Sequence, residues 1–306
     1  MCQVVNVNNT FSRQPEEYVE RRLFYDKCGR YLFIAAACLM SVIIFSVILF
    51  VGRQGLMTFA DVNPIEFFTS SNWDPQEKHF GALSFILGSL VSTLLAVVIG
   101  TPLGLLGAIF LAKVAPARLK NIMRPAIDLY VAIPSVIYGY CGLVILIPFL
   151  KETFMIPTGF GVLAAALVLS IMILPTIMSI SFDALCAVSR TLEEASLALG
   201  ATWWQTVVNV IMPVATPGIL TAVVLAMARA VGETMAVQML IGNTPQMIDS
   251  LFTPTATLTS NIVVEMGNTP FGSGWGNALF LMAFVLLLLS LGMIILIRRF
   301  GHQEVK

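Results

Sequence analysis

Two charged residues stand four positions apart inside a long apolar segment of the chain. Arg229 and Glu233 interrupt the run Val214–Leu240, whose other side chains are mostly apolar or small. A charge at the centre of a membrane costs roughly 2.5–3.5 kcal/mol on insertion scales, so both residues are expected to face a protein interior or an aqueous path. Arginine stays charged, and its planar fork matches the oxygens of phosphate-like anions. The pair therefore predicts a contact with an anion inside a membrane.

The same spacing has a structural alternative. Residues four apart share one face of a continuous helix, so Arg229 and Glu233 could form a buried ion pair that only orients the helix. If the pair is functional, Glu233 pairs with Arg229 when no anion is present and keeps the affinity of Arg229 for the anion modest. A helix that starts at Val214 places Arg229 beyond the midplane, whereas a span over 218–240 makes the pair central. Ser135, in an earlier apolar run, is a further candidate for the path.

The composition requires a membrane around these residues. Of 306 residues, 58% are hydrophobic and 11% are charged, whereas soluble domains carry about 25% charged residues. The net charge of zero argues against nucleic acid as a partner. Six apolar runs reach the roughly 20 residues that a helix needs to cross hydrocarbon: Tyr31–Val51, Ser84–Ala112, Ile127–Leu150, Gly161–Ser181, Val214–Leu240 and Ala278–Ile297. We therefore expect an all-α integral membrane protein with about six transmembrane helices.

Glycine and proline mark special points within these runs. The second run is too long for one perpendicular helix, so a tilt or a break is expected near Pro102. Gly100 and Gly104, and likewise Gly139 and Gly142, have the spacing of small residues that let helices pack closely.

Basic residues are distributed unevenly between the loops. With six spans, one side of the membrane carries thirteen Lys and Arg residues and the other carries three, Arg53, Lys78 and Lys151. Because cytoplasmic loops are enriched in Lys and Arg, both termini are predicted to be cytoplasmic. The five cysteines match neither a metal site nor a disulfide framework. The outer loops 52–80 and 243–277 could seat an external binding protein or be ordinary solvated loops.

The loop 182–212 contains the pattern of a short surface helix. Thr191 and Glu194 have the spacing of a capping box, and Gly200 stands where a C′ glycine would end the helix. An apolar face is formed by Leu192, Ala195 and Leu199. A helix of about two turns is too short to span a membrane. It is either a docking element for another protein or a plain amphipathic surface helix.

A longer motif continues from this helix into the next run. Glu194-Ala195-Ser196 is followed after three residues by Gly200, and after nine more by Val210-Ile211-Met212-Pro213. In spacing it resembles the Glu-Ala-Ala…Gly…Ile-x-Leu-Pro signature of bacterial ABC importer permeases, the binding-protein-dependent transport family, with Ser196, Val210 and Met212 as departures. The resemblance covers about 81–300. It implies a type I importer fold with a coupling helix near 191–200 that sits on an ATPase. The implied coupling residues are Glu193, Glu194, Ala195, Ser196, Leu199 and Gly200.

Two further stretches, Ala132–Gly139 and Ala228–Val237, are similar to the PstC-type subunits of phosphate importers. Thr234 follows Gly-Glu here, whereas sulfate and molybdate permeases more often have Phe, so the resemblance points to phosphate. It implies a PstA-type permease partner, two PstB-type ATPase subunits and an external PstS-type phosphate-binding protein, in a bacterial inner membrane. The sequence has no P-loop pattern. The chain is therefore expected to be no enzyme and to bind no cofactor, and ATP and Mg²⁺ would be bound by the ATPase subunits.

The predicted organisation has four parts. A cytoplasmic tail (1–30) precedes an extra first span with an outer segment (31–80), the permease core (81–300) and a short cytoplasmic tail (301–306). Three alternatives remain open: a permease for sulfate or molybdate, a stand-alone ion-coupled secondary transporter, and a membrane scaffold. Many secondary transporters show inverted repeats, and none is evident in this sequence.

Overall fold

Helices dominate the computed structural model, which describes residues 16–270 and 272–301. The elements are α1 (Glu16–Leu56), α2 (Pro64–Thr69), β1 (Trp73–Asp74), β2 (His79–Phe80), α3 (Leu83–Ile109), α4 (Ala117–Val131), α5 (Ser135–Cys141), α6 (Ile147–Phe154), α7 (Val162–Cys186), α8 (Arg190–Ala198), α9 (Trp203–Thr206), α10 (Met212–Gly232), α11 (Met235–Gln238), α12 (Leu258–Met266) and α13 (Gly274–Gly301). The strands β1 and β2 form an antiparallel hairpin. The predicted tail 1–30 is described only from residue 16, and 301–306 lies outside the described residues after Gly301.

The described residues contain six helices that are long and apolar enough to cross a membrane, as predicted. They are Tyr25–Ala60, Leu83–Val114, Ser135–Phe154, Val162–Cys186, Trp203–Gly232 and Gly274–Arg299. The third begins at Ser135 instead of Ile127, because Pro134 has an extended backbone and disfavours helix in the residue before it. The residues ahead of it form the separate amphipathic helix α4. The fifth begins at Trp203 and ends at Gly232, so its predicted bounds of Val214 and Leu240 were wrong.

Glycines set the distance between α3 and α7. A Cβ at Gly104 would lie 2.9 Å from the side chain of Ile177, and one at Gly100 would lie 3.0 Å from that of Ile173. The order of these contacts shows that the two helices run in the same direction. Their backbones approach because neither glycine has a side chain, so the predicted packing role is confirmed.

Three spans contain a wider, π-helical turn, at Phe110–Val114, Gly142–Leu146 and Val207–Ile211. The helix α3 continues through Pro102 without interruption, so of the tilt or break predicted there the break is ruled out and the tilt stays a prediction. The irregular turn follows instead at the end of the span. Pro213 comes two residues after the end of the third wide turn, where its missing N–H and bulky ring are more easily accommodated than in a regular helix.

The chain divides into two compact units, residues 1–51 and 52–306. The first, as far as it is described, is the helix α1 up to Val51. The described part of the second has four buried apolar clusters, three of which join the long helices. One surrounds the middle of α7, with Ile173 and Ile177; one joins the hairpin to the starts of α3 and α13; and one joins the ends of α3 and α7 to the start of the fifth span.

Candidate functional site

Arg229 lies in the last turn of α10, and its side chain is half-buried. Its Nη1 donates to Thr176 Oγ1 at 3.4 Å. Thr176 is 14 residues after the first residue of α7 and 10 before the last, which places it about 21 Å and 15 Å from the two ends of that helix. Arg229 therefore lies at mid-height in the helical bundle. The sequence motif gave no signal for Thr176, since it lies on a different span.

Glu233 lies beyond the end of α10, with an extended backbone (φ −70°, ψ 131°). The prediction that it shares a helix face with Arg229 was therefore wrong, and the two form no ion pair in the described structure. The backbone carbonyl of Glu233 accepts a hydrogen bond from Thr259 Oγ1 at 3.1 Å. The side-chain Oε1 of Glu233 accepts one from Ala236 N at 3.4 Å. In a continuing helix the Glu233 carbonyl and the Ala236 N–H would be paired within the helix. These two contacts satisfy the same groups without it, so they stabilise the end of α10 before Glu233.

Ser135 is the first residue of α5 and is half-buried. One turn later, a Cβ at Gly139 would lie 2.9 Å from Ala236 Cα, so α5 packs closely against the segment that follows Glu233. Gly142 likewise approaches Leu240, which confirms the packing role predicted for both glycines. Ser135 makes no hydrogen bond to Arg229 or Glu233 within the described residues. Helix α5 therefore lies close to the segment that follows Glu233, but the Ser135 hydroxyl is hydrogen-bonded to neither charged residue in the described structure.

The short helix between the fourth and fifth spans, α8, is present close to its predicted position. It begins after Ser189, whose side chain accepts a hydrogen bond from Thr191 N at 3.3 Å. The predicted capping box of Thr191 and Glu194 was wrong, because the extended residue is two positions earlier and Thr191 already lies in the helix. Gly200 has φ +86°, the left-handed conformation of a C′ glycine, which confirms the predicted end.

One face of α8 is held by the chain itself. Ser196 is buried, and its hydroxyl shares a 2.9 Å hydrogen bond with that of Thr206. Glu193 Oε2 accepts a hydrogen bond from Lys113 Nζ at 2.7 Å, so this predicted ATPase contact is paired within the chain.

A second face of α8 is open to solvent. The predicted apolar positions Leu192, Ala195 and Leu199 are all exposed, with Leu199 at 90% exposure, and Glu194 is exposed beside them. A two-turn helix that leaves its apolar face uncovered has the geometry of an interaction surface.

The loops predicted to lie outside the membrane meet at one half-buried carboxylate. Glu265 in α12 accepts indole N–H bonds of 2.7 Å from both Trp73 and Trp275. Burial raises the pKa of the Glu265 carboxyl, and the two indole hydrogen bonds oppose this shift only in part. Glu265 thereby links the hairpin to the start of α13, a role that sequence spacing did not indicate.

Similarity to known proteins agrees with these features. The family described as "Binding-protein-dependent transport system inner membrane component" matches residues 100–303. The probable ABC transporter permease protein YqgH of Bacillus subtilis (strain 168) is 47% identical over 297 residues, 96% of this chain and 94% of that protein. The phosphate transport system permease protein PstC of Mesorhizobium japonicum is 38% identical over 253 residues, 76% of each chain. A crystal structure of a bacterial ABC transporter involved in alginate import has the same fold, with a TM-score of 0.61 at 15% identity over 93% of this chain and 100% of that one.

Proposed function

Because the chain belongs to the binding-protein-dependent transport family and is a permease subunit of an ABC importer with the type I fold, we propose that its substrate is inorganic phosphate. The observation that carries this proposal is the position of Arg229, a permanent cation at mid-height in the bundle whose described partner is one hydroxyl. A guanidinium in such a place attracts an oxyanion and can bind two of its oxygens at once. The similarity to a protein named as a phosphate permease supports the same substrate class.

In this proposal Arg229, Glu233 and Ser135 line the translocation path. Arg229 binds the anion transiently at mid-membrane. Glu233, held beside α11 by Ala236 N, supplies a negative charge near the exit of α10 that keeps retention of the anion short. Ser135 offers a neutral hydroxyl at the start of a neighbouring helix. Gly232 supports the assignment, because a Cβ there would meet nothing within 4 Å and the backbone is open to an approaching ligand.

The exposed face of α8 is the proposed coupling surface. Leu192, Ala195 and Leu199, with Glu194 beside them, would enter a groove on an ATPase subunit. Ser196 and Gly200 would set the position and the end of the helix. Glu193, which the sequence motif suggested for the same interface, faces Lys113 instead. ATP and Mg²⁺ would be bound by the ATPase subunits, so this chain would receive mechanical work without binding nucleotide.

The proposed complex lies in the bacterial inner membrane with both termini of this chain in the cytoplasm. It contains a homologous PstA-type permease, two PstB-type ATPase subunits and an external PstS-type binding protein. The loops joined through Glu265 would face the binding protein. Their apolar cluster supports this role, because it gives the loops a fixed shape on which a second protein could rest.

The test is uptake by the purified complex, reconstituted in proteoliposomes with its binding protein. Radiolabelled phosphate should accumulate only with ATP inside the vesicles, and sulfate should not compete. Preferential uptake of sulfate or molybdate would refute phosphate as the substrate. Uptake by this chain alone, driven by an ion gradient and without ATP, would refute the ATP-driven assignment in favour of a secondary transporter.

A further inference from the structure

Two side-chain hydrogen bonds attach α8 to the membrane spans in the described structure. Lys113 Nζ and Glu193 Oε2, 2.7 Å apart, join it to the second span. The hydroxyls of Ser196 and Thr206, 2.9 Å apart, join it to the fifth. Glu193 and Ser196 are three residues apart and so lie on one face of α8. The helix is therefore connected to two different spans through a single face.

The Lys113–Glu193 pair is shielded from solvent. Its side chains are 13% and 25% exposed, whereas those of the Arg124–Asp183 pair, between α4 and the end of α7, are 58% and 55% exposed. Exposed ion pairs contribute little to stability, while breaking a shielded pair leaves a poorly solvated charge. Of these two pairs, Lys113–Glu193 is therefore the one that is more costly to break.

Both attachment points adjoin wider helical turns. Lys113 lies inside the π-helical segment Phe110–Val114, and Thr206 directly precedes the segment Val207–Ile211. Such turns occur often at functional sites and are places where helices bend. A displacement of α8 would therefore act on the second and fifth spans at their π-helical turns.

Space for such a displacement exists beside the pair. A cavity of about 470 Å³ is lined in part by Lys113, Glu193, Arg190 and Cys186. It borders α8 on one side and the ends of the second and fourth spans on the other, so the helix and these span ends are not closely packed at this place.

We propose that the Lys113–Glu193 ion pair transmits the movement of α8 to the second span during the ATP-driven cycle. Glu193 then acts inside this chain instead of at the ATPase interface, and Lys113 is a positioning residue that couples α8 to the path. This inference rests on the proposed docking of α8 onto an ATPase subunit. A shift of α8 would move the second and fifth spans together, because both are attached to the same face of the helix.

The experiment exchanges the two charges in the reconstituted complex. The variants are Lys113→Glu, Glu193→Lys and the double exchange, and the quantity measured is substrate imported per ATP hydrolysed, with whichever oxyanion the wild-type complex carries. Each single variant should lower this ratio about tenfold, because two like charges then face each other. The double exchange should restore at least half of the wild-type ratio. Arg124→Asp, in the exposed pair, should leave it unchanged.

Co-purification of the ATPase subunits separates this inference from the proposed docking. If the wild-type chain retains no ATPase, the docking itself is wrong, and the transmission role is refuted with it. If the single variants retain the ATPase and keep the wild-type ratio, or if the double exchange does not recover, the transmission role is refuted. Loss of the ATPase from Glu193→Lys but not from Lys113→Glu would also refute it, because Glu193 would then be an interface residue. If the like-charged variants fail to assemble, the neutral pair Lys113→Gln with Glu193→Gln replaces them, and an unchanged ratio in that variant refutes the role.

Discussion

Arg229 in the fifth span donates to Thr176 in the fourth, with 3.4 Å between Nη1 and Oγ1. A hydrogen bond of this length is weak, so it orients the guanidinium while leaving its positive charge available to a ligand. A guanidinium has five N–H donors, and most of them have no partner among the described residues. The contact gives the proposed anion site a fixed direction while leaving donors for a ligand.

Replacing Arg229 tests whether it serves transport or only structure. Arg229→Gln should lower phosphate uptake by the reconstituted complex about tenfold or more, because the charge is lost. Arg229→Lys should recover only part of this loss, since a lysine keeps the charge but not the fork. Thr176→Val should cost about threefold, the effect of one modest hydrogen bond. Initial uptake rates are compared after normalisation to the amount of chain in the membrane, and an equal fall in rate and amount would make Arg229 structural only.

Gly200 offers a test of the end of α8 with a matched pair of variants. Its φ of +86° costs other L-residues roughly 1–2 kcal/mol, and a Cβ there would meet nothing within 4 Å. Gly200→Val should therefore reduce ATP-coupled uptake about tenfold through the backbone alone. Gly200→Asn should reduce it about twofold, because asparagine tolerates this conformation. Coupled uptake is measured with membrane insertion as the control, and equal behaviour of both variants would contradict a backbone origin.

Glu265 predicts a pH dependence of stability with a defined sign. Its pKa is raised by burial in the folded state, so the folded chain holds the proton more tightly than the unfolded chain. The tighter binding of this proton stabilises the folded chain. The stabilisation is fully present below the unfolded-state pKa of Glu265 and is lost as the pH rises through its raised folded-state pKa. The unfolding midpoint of the detergent-solubilised chain, followed from about pH 4 to about pH 7, should exceed that of Glu265→Gln by more at the acidic end.

The control for this titration is Glu77→Gln, which changes an exposed carboxylate in the turn of the same hairpin. It should follow the wild type across the whole pH range. A constant difference between the wild type and Glu265→Gln would show that Glu265 does not carry the pH dependence.

The glycine contacts between α3 and α7 predict unequal effects of the same substitution. Gly104→Ala places a Cβ 2.9 Å from the Ile177 side chain, and such overpacking costs about 1–3 kcal/mol. Gly292→Ala in α13 meets nothing within 4 Å and should gain up to about 1 kcal/mol from the better helix former. Thermal unfolding in detergent compares the two. Equal midpoints would mean that α3 and α7 have room to separate.

Properties that depend on about 20 consecutive residues could be predicted from the sequence. The six spans follow from local hydropathy, and the end of α8 follows from one glycine whose conformation other residues avoid. The cap of α8 was misplaced because Ser189 and Thr191 are both good N-caps. Only the extended backbone at Ser189 distinguishes them.

Features that depend on distant partners could not be predicted. The exit of α10 at Glu233 is stabilised by Thr259, 26 residues further along the chain, and Glu193 is paired with Lys113, 80 residues earlier. Neither partner belongs to the motif that drew attention to the site. Spacing rules assumed a continuous helix, and the tertiary contact at Glu233 overrode that assumption.

The wide turn at Val207–Ile211 also fixes the winding of the fifth span. Each residue of an α-helix turns the chain by about 100°, and a π-helical turn accommodates one residue more than the regular winding would. Thr206 points at Ser196 before this turn, and Arg229 points at Thr176 after it. Removing one residue from 207–211 would rotate the two ends by about 100° relative to each other. The same span could then no longer direct Thr206 to α8 and Arg229 to the centre of the bundle at once.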